Sequence, residues 1–189
     1  MIPKEIKNVK KVSVNLWDLN IDAAEESPLI SQAISQYLPV PCKLVRYVDF
    51  SKRMAHSNDP TWQPEMRFPD GAPLLLVNQK SVDALNEKLA VPVPADRFRS
   101  NVLYNGSAAF EEDNWQRIRI GDVVFSNPKK CARCVMVTID QQAGQKDGAE
   151  PLKTLAGFRR DGKSVNFGVL WIPENVGTIH SSDRIEVLT

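Results

Sequence analysis

From Val91 to the C-terminus the chain repeats one pattern, short apolar and β-branched runs set apart by Gly, Pro, Asn and Asp. "NVLY", "QRIRIGDVVFS", "CVMVTI", "VNFGVLWI" and "RIEVLT" each read as a strand, and Gly121 with Asp122 forms a tight turn inside the second. So many short strands must hide their edges, so this half is expected to be mainly β, as a barrel or a strongly curved sheet. "EPLKTLAGF" is the one helical interruption, with Pro151 in its first turn and Leu152, Leu155 and Phe158 at helical spacing.

The preceding half is more mixed. "VSVNL" alternates Val12, Val14 and Leu16 with polar residues, as a strand with one buried face does. "SPLISQAISQYL" places Ser27 to cap a helix and Pro28 in its first turn; Leu29, Ala33, Tyr37 and Ile30, Ile34, Leu38 make two adjacent apolar rows. "KLVRYV" reads as a strand. The stretch from Phe50 to Pro69 is polar and dotted with Pro60, Pro64 and Pro69, which predicts a mobile loop. "APLLLVNQKSVDALNEKL" reads as a buried strand, a cap at Asn78, and a helix with Val82, Leu85 and Leu89 on one side.

No repeat or Gly/Ser linker divides these 189 residues, and 42% hydrophobic residues suffice for a sizeable core, so one compact domain is the default. Lys and Arg total 24 against 23 Asp and Glu, interspersed, which argues against general nucleic-acid binding and against an acidic membrane surface as partner. The longest apolar run, around "APLLLV", is too short to span a bilayer, and "MIPKEIKNVKK" has no apolar core of an export signal. Cys42, Cys131 and Cys134 are an odd number that suits a reducing compartment, so a cytoplasmic protein is expected.

"KKCARCVMVTID" carries the densest chemistry, two cysteines three residues apart among basic residues. A structural zinc site wants four ligands, and beyond the pair only Cys42, His56 and His180 remain, at no shared short spacing. A thioredoxin-like dithiol belongs at a helix N-terminus, whereas "CVMVTI" is strand-like. Two small buried thiols are the plain alternative. A fourth reading needs one thiolate near the cations Arg133, Lys129 and Lys130, ready to ligate a soft metal or face an anionic cofactor.

At these residues the sequence resembles the MOSC family, the domain shared by molybdenum cofactor sulfurases and amidoxime-reducing proteins. "FPDGAPLLLVNQKSVDALN", "FRSNVLYNGSAAFEEDNWQRIRIGDVVF", "KKCARCVMVTID", "GAEPLKTLAGFR" and "NFGVLWIPENVGTIHSSDRIEVL" are similar, in order, to the family's blocks over Phe68 to Leu188. The stretch from Val12 to Phe50 resembles the end of the β region that precedes the MOSC core. The resemblance implies an α+β fold, mainly β with helices, built on a MOSC-type β-barrel whose N-terminal barrel region is largely absent. It divides the chain into residues 1–50, a remnant of that region, and a MOSC domain over 51–189.

It also implies a site. Cys134, the second cysteine, matches the family's protein ligand to molybdenum, leaving Cys131 without a metal role. Arg99 and Asn101 of "FRSN" match contacts to the phosphate and pterin of the molybdenum cofactor (molybdopterin). Asp70 matches an acidic position at the metal pocket, where it would orient a substrate N–OH group or relay a proton. Gly71 and Ala72 stand where the mitochondrial members carry hydroxyl residues, so a phosphate contact there falls to backbone N–H groups, with Arg133 beside the thiolate as a further cation. Family reductases begin with a Lys-Ser pair and an arginine that this chain lacks, so an incomplete pocket, an open barrel edge and self-association through it are expected. The implied activity is reduction of small N-hydroxylated compounds with electrons from an external electron-transfer protein. The alternative is a carrier of the cofactor, or of sulfur as a Cys134 persulfide, without turnover; a third possibility is a module that binds nothing alone.

Overall fold

The computed structural model describes residues 10–38, 40–146 and 148–188. The start "MIPKEIKNV" and Thr189, the last residue of the expected "RIEVLT" strand, lie outside them. The fold is α+β, mainly β with three α-helices among the described residues. The chain forms two compact units, Met1–Met54 with Glu65–Asp70, and Ala55–Pro64 with Gly71–Thr189.

In the smaller unit, β1 (Lys10–Leu16) pairs antiparallel with β2 (Leu19–Glu25), which also pairs with the two-residue β3 (Val45–Arg46). Only the centre of the expected "KLVRYV" strand therefore pairs. Trp17 and Asp18 turn the hairpin with φ of 51° and 66°, a left-handed pair usually filled by Asn-Gly. Helix α1 (Pro28–Tyr37) forms where expected, and Ser27 occupies its N-cap, but the Ser27 side chain makes no capping bond.

Its first apolar row is not its packed side, whereas Ile30 and Ile34 of the second are half-buried beside Ser31 and Ser35. Leu29 is 77% and Tyr37 86% exposed, while Ser31 is buried. Ser31 Oγ donates to Glu25 and accepts from Leu44 N, and Ser35 Oγ accepts from Cys42 N. Short hydroxyl side chains thus add specific hydrogen bonds to the hydrophobic burial on that side.

The polar stretch after Phe50 has no helix or strand, yet it is pinned. In the smaller unit the buried Arg53 donates from Nη1 to the carbonyls of Arg67 and Pro69 and from Nη2 to that of Asp70. In the larger unit Ala55 N donates to Pro64 O, and Trp62 Nε1 donates to Pro173 O at 2.6 Å. Fixed donors replace periodic structure here, so the stretch is a loop, as expected, tied down by specific hydrogen bonds.

The larger unit is a curled, half-barrel sheet. Its order is β10 (Ile185–Leu188), β6 (Arg117–Ile120), β7 (Val123–Ala132), β9 (Ser164–Pro173), β4 (Leu74–Asn78) and β5 (Val102–Tyr104), with β8 (Arg160–Asp161) also on β9. All pairs are antiparallel except β4 with β5. β4 is buried on both faces: Leu75 and Val77 pack with Val82, Leu85, Phe98, Leu155 and Phe167, whereas Leu74 and Leu76 pack with Ile118, Phe125, Val169 and Trp171. Helices α2 (Gln79–Asn86) and α3 (Leu152–Phe158) supply part of the first cluster.

Two glycines are required. Gly121 opens the β6–β7 turn at φ 52°, and Gly168 in β9 takes φ 76°, where a Cβ would lie 2.8 Å from Leu76 O. Asn78 caps α2 as expected, its side chain accepting from Lys80 N.

Candidate functional site

The end of β7 delivers the cysteine motif. Ala132 still pairs with Asn166, and Arg133 N donates to Val165 O at 2.7 Å. Cys134 then breaks from the sheet, and Val135–Thr138 form a single 3-10 turn in place of the expected "CVMVTI" strand. Val137 and Thr138 are buried while Val135 and Met136 stay exposed, a split that strand alternation cannot produce. Val137 N donates back to Cys134 O and Thr138 Oγ1 to Val135 O, closing the turn.

The two thiols differ sharply. Cys131 is half-buried against the Phe98 cluster, and its Sγ accepts from Arg133 Nη1 at 3.0 Å. Cys134 is exposed, and its thiol has no hydrogen-bond partner among the described residues. Among those residues no three His, Cys, Asp or Glu side chains are gathered as metal ligands.

Arg133 ties this motif to the Arg99 turn. Its Nη2 donates to Phe98 O at 2.8 Å, and its guanidinium lies 5.6 Å from the centroid of the Phe98 ring, which stacks on Phe167 at 4.0 Å. A second tie runs from the buried Arg97 to Asp140 at 2.9 Å. The Ala143 N–H foremost, then the Gln142 N–H and Arg97, hold the Asp140 carboxyl below its usual range. Arg99, next to Phe98, has left-handed backbone with φ 53° and an exposed side chain without a partner among the described residues.

Asn101 ties the same turn to the start of β4. Its N–H donates to Leu75 O at 2.9 Å and its Oδ1 accepts from Leu75 N at 2.7 Å, so its amide Nδ2 is what remains for a ligand. Gly71 and Ala72 lie just upstream, and neither backbone N–H finds an acceptor among the described residues. Three stretches, 71–75, 98–101 and 131–134, are thus joined by Asn101 and Arg133. Asp70 belongs to the smaller unit; its Oδ1 accepts from Trp17 Nε1 at 3.2 Å.

Sequence reasoning missed Trp17, Arg53 and the target of Arg133. The pair of non-glycine residues in a two-residue hairpin turn is visible only once the strand register is known, and an arginine gives no local sign of which carbonyls it will reach.

A curled β half-barrel with flanking helices, presenting one exposed cysteine on a loop braced by arginine, defines the class. Residues 63–186 match the MOSC domain, and the chain belongs to that family. It is 30% identical to human mitochondrial amidoxime-reducing component 1 over 182 residues, 90% of this chain and 54% of that protein. Rat mitochondrial amidoxime reducing component 2 is 28% identical over 202 residues, 98% of this chain and 59% of its own. A molybdenum cofactor sulfurase from Oryza sativa subsp. japonica is 36% identical over 199 residues, 88% of this chain and 24% of the sulfurase. The chain spans little more than half the length of the first two and about a quarter of the third. These similarities point to a molybdenum-cofactor-related MOSC protein. No described helix is long and apolar enough to cross a membrane.

Proposed function

We propose that this chain holds the molybdenum cofactor through Cys134 and reduces small N-hydroxylated compounds with electrons from an external electron-transfer protein. The observation that carries the reading is the contrast within the cysteine pair: Cys131 is engaged by Arg133, and Cys134 presents an unpartnered, exposed thiol beside the arginine-braced turn.

The residues fit the cofactor chemically. One soft sulfur completes the coordination of a molybdenum already held by a dithiolene. The unengaged Arg99 guanidinium and the unpartnered N–H groups of Gly71 and the buried Ala72 are donors of the kind a phosphate takes. Asn101 Nδ2 is left to face the pterin, and Arg133 acts by position, fixing the loop that carries Cys134. When bound, the cofactor supplies a metal centre that exchanges two electrons and takes up oxygen.

Two electrons and two protons convert an N–OH group to N–H and water. Within the smaller unit Trp17 holds Asp70 Oδ1, which leaves Oδ2 without a partner among the described residues and suited to accepting or passing on a proton. The test is molybdenum and pterin analysis of the purified chain and of its Cys134→Ala and Cys131→Ala variants, with benzamidoxime reduction by a chemical electron donor. Molybdenum, pterin and turnover that depend on Cys134 alone support the reading. Cofactor without turnover, or sulfane sulfur on Cys134 without molybdenum, supports the carrier instead. Equal loss from both variants removes the single-ligand assignment.

A further inference from the structure

A second cleft in the larger unit has no part in the site above. It encloses about 470 Å³ between the Ala55–Pro64 segment, the middle of β7 and the end of β9. Its floor is a bulge: β7 and β9 lose register between Ser126 and Lys129, and Asn127 takes φ 52° there. Its wall includes Trp62, whose N–H is spent on Pro173 O, so the ring offers a ligand only its carbon surface.

The cleft's polar groups are unbalanced. Part of its donor capacity is consumed internally: Asn127 Nδ2 donates to Ser57 Oγ at 3.3 Å and to Ser126 Oγ at 3.4 Å, and Ser126 bonds Glu174; the Asn58 amide keeps a donor and an acceptor, so the imbalance lies in charge. Glu174 is also neutralised by Arg117, which reaches it at 2.6 Å. Acceptors remain. Asp59 lines the cleft with no Lys or Arg partner among the described residues, and the Oδ1 of Asn127 is likewise unengaged. Thr61, through its hydroxyl first and its N–H second, keeps the Asp59 carboxyl below its usual range and therefore ionised at neutral pH.

We propose that this cleft binds a protonated amine or amidinium cation carrying a flat apolar body, with the cation on Asp59 and Asn127 Oδ1 and the body against Trp62. A cavity that offers acceptors, one uncompensated negative charge and an aromatic wall complements a ligand that is donor-rich, positive and flat. The size matches a drug-fragment-sized guest. This inference does not rest on the molybdenum reading, and its test needs no cofactor.

The probe is benzamidinium, with the isosteric neutral benzamide as control, titrated into the full chain while tryptophan fluorescence is followed. Saturable quenching by benzamidinium and none by benzamide is expected. Trp62→Phe should remove the quenching, although three of the four tryptophans remain. Asp59→Asn keeps an oxygen for Thr61 and should weaken binding about tenfold or more, with a thermal melt like that of the wild type. An Asp59→Asn titration that overlays the wild type, equal responses to the two probes, or no saturable response overturns the proposal.

Discussion

Two polar regions of the larger unit use the same kinds of side chain in opposite ways. Around Glu112, buried at 1% exposure, the polar groups answer one another. Its carboxylate accepts from Asn78 Nδ2, Ser81 Oγ and Tyr104 OH; Asn78 also caps α2, accepts from Gly106 N and donates to Ala108 O; and Ser81 Oγ accepts from Phe110 N. Around Cys134 the thiol, the Arg99 guanidinium and the N–H groups of Gly71 and Ala72 are left without partners among the described residues. The first region is committed to the fold. The second keeps its hydrogen-bonding capacity for something outside the chain.

If that division is right, stability should follow the first region and not the second. Asn78→Ala removes a helix cap and opens the buried network at several points, so urea unfolding should show a loss of about 2–4 kcal/mol. A loss no larger than that of an exposed substitution would show that the Glu112 network is not what holds these segments.

The next effect lies in pH dependence. Burial foremost, with Asp113 adding to it, pushes the Glu112 carboxyl above its usual range. Its folded pKa exceeds its unfolded one, so its contribution is complete below the unfolded value of about 4.3 and is lost as pH rises through the folded pKa. Glu112→Gln should flatten the fall in stability on that rise, measured by urea midpoints across the range. Unchanged slopes would remove Glu112 as their source. Burial and the charges of Glu112 and Glu111 also drive the Tyr104 hydroxyl upward, which keeps it a donor.

Smaller still, Cys131→Ala gives up one sulfur contact and some packing, for about 1 kcal/mol. Smallest of all, Arg99→Ala and Cys134→Ala should leave the unfolding midpoint of cofactor-free protein within about 0.5 kcal/mol of wild type. A large loss from either would place those side chains in the fold and erase the contrast.

Alternation and punctuation made much of this structure legible. The buried run "LLLV", the Asn78 cap, the Gly121–Asp122 turn and the "VNFGVLWI" strand stand where period and turn chemistry put them. β2 escaped because its last three residues, Ala23, Ala24 and Glu25, are all buried, as is Glu26 just beyond it, which hides the strand's period. Glu26 is tolerated because Arg46 pairs with it at 2.7 Å, a partner twenty residues away that no local window contains. The helix α1 was legible as a helix, but not which of its two apolar rows packs: Ile30 and Ile34 are half-buried beside the hydrogen-bonded Ser31 and Ser35, while Leu29 and Tyr37 are exposed. Of the site, the residue types were legible and their allegiances were not: Arg133 sits beside Cys134 in sequence yet reaches Cys131, since side-chain direction at a strand end depends on where the sheet stops.

The hairpin turn at Trp17 and Asp18 bears on how such a chain can be engineered or can drift. Both residues hold a backbone conformation that costs on the order of 1 kcal/mol or more for a non-glycine side chain. Exchanging the pair for the commoner turn residues, Trp17→Asn with Asp18→Gly, should raise the melting temperature and would pass any screen for stability alone. The same exchange deletes the indole N–H that holds Asp70 Oδ1. Selection for thermostability and selection for a fixed carboxylate therefore pull this turn in opposite directions, and a variant library sorted on heat resistance would lose the second property unnoticed.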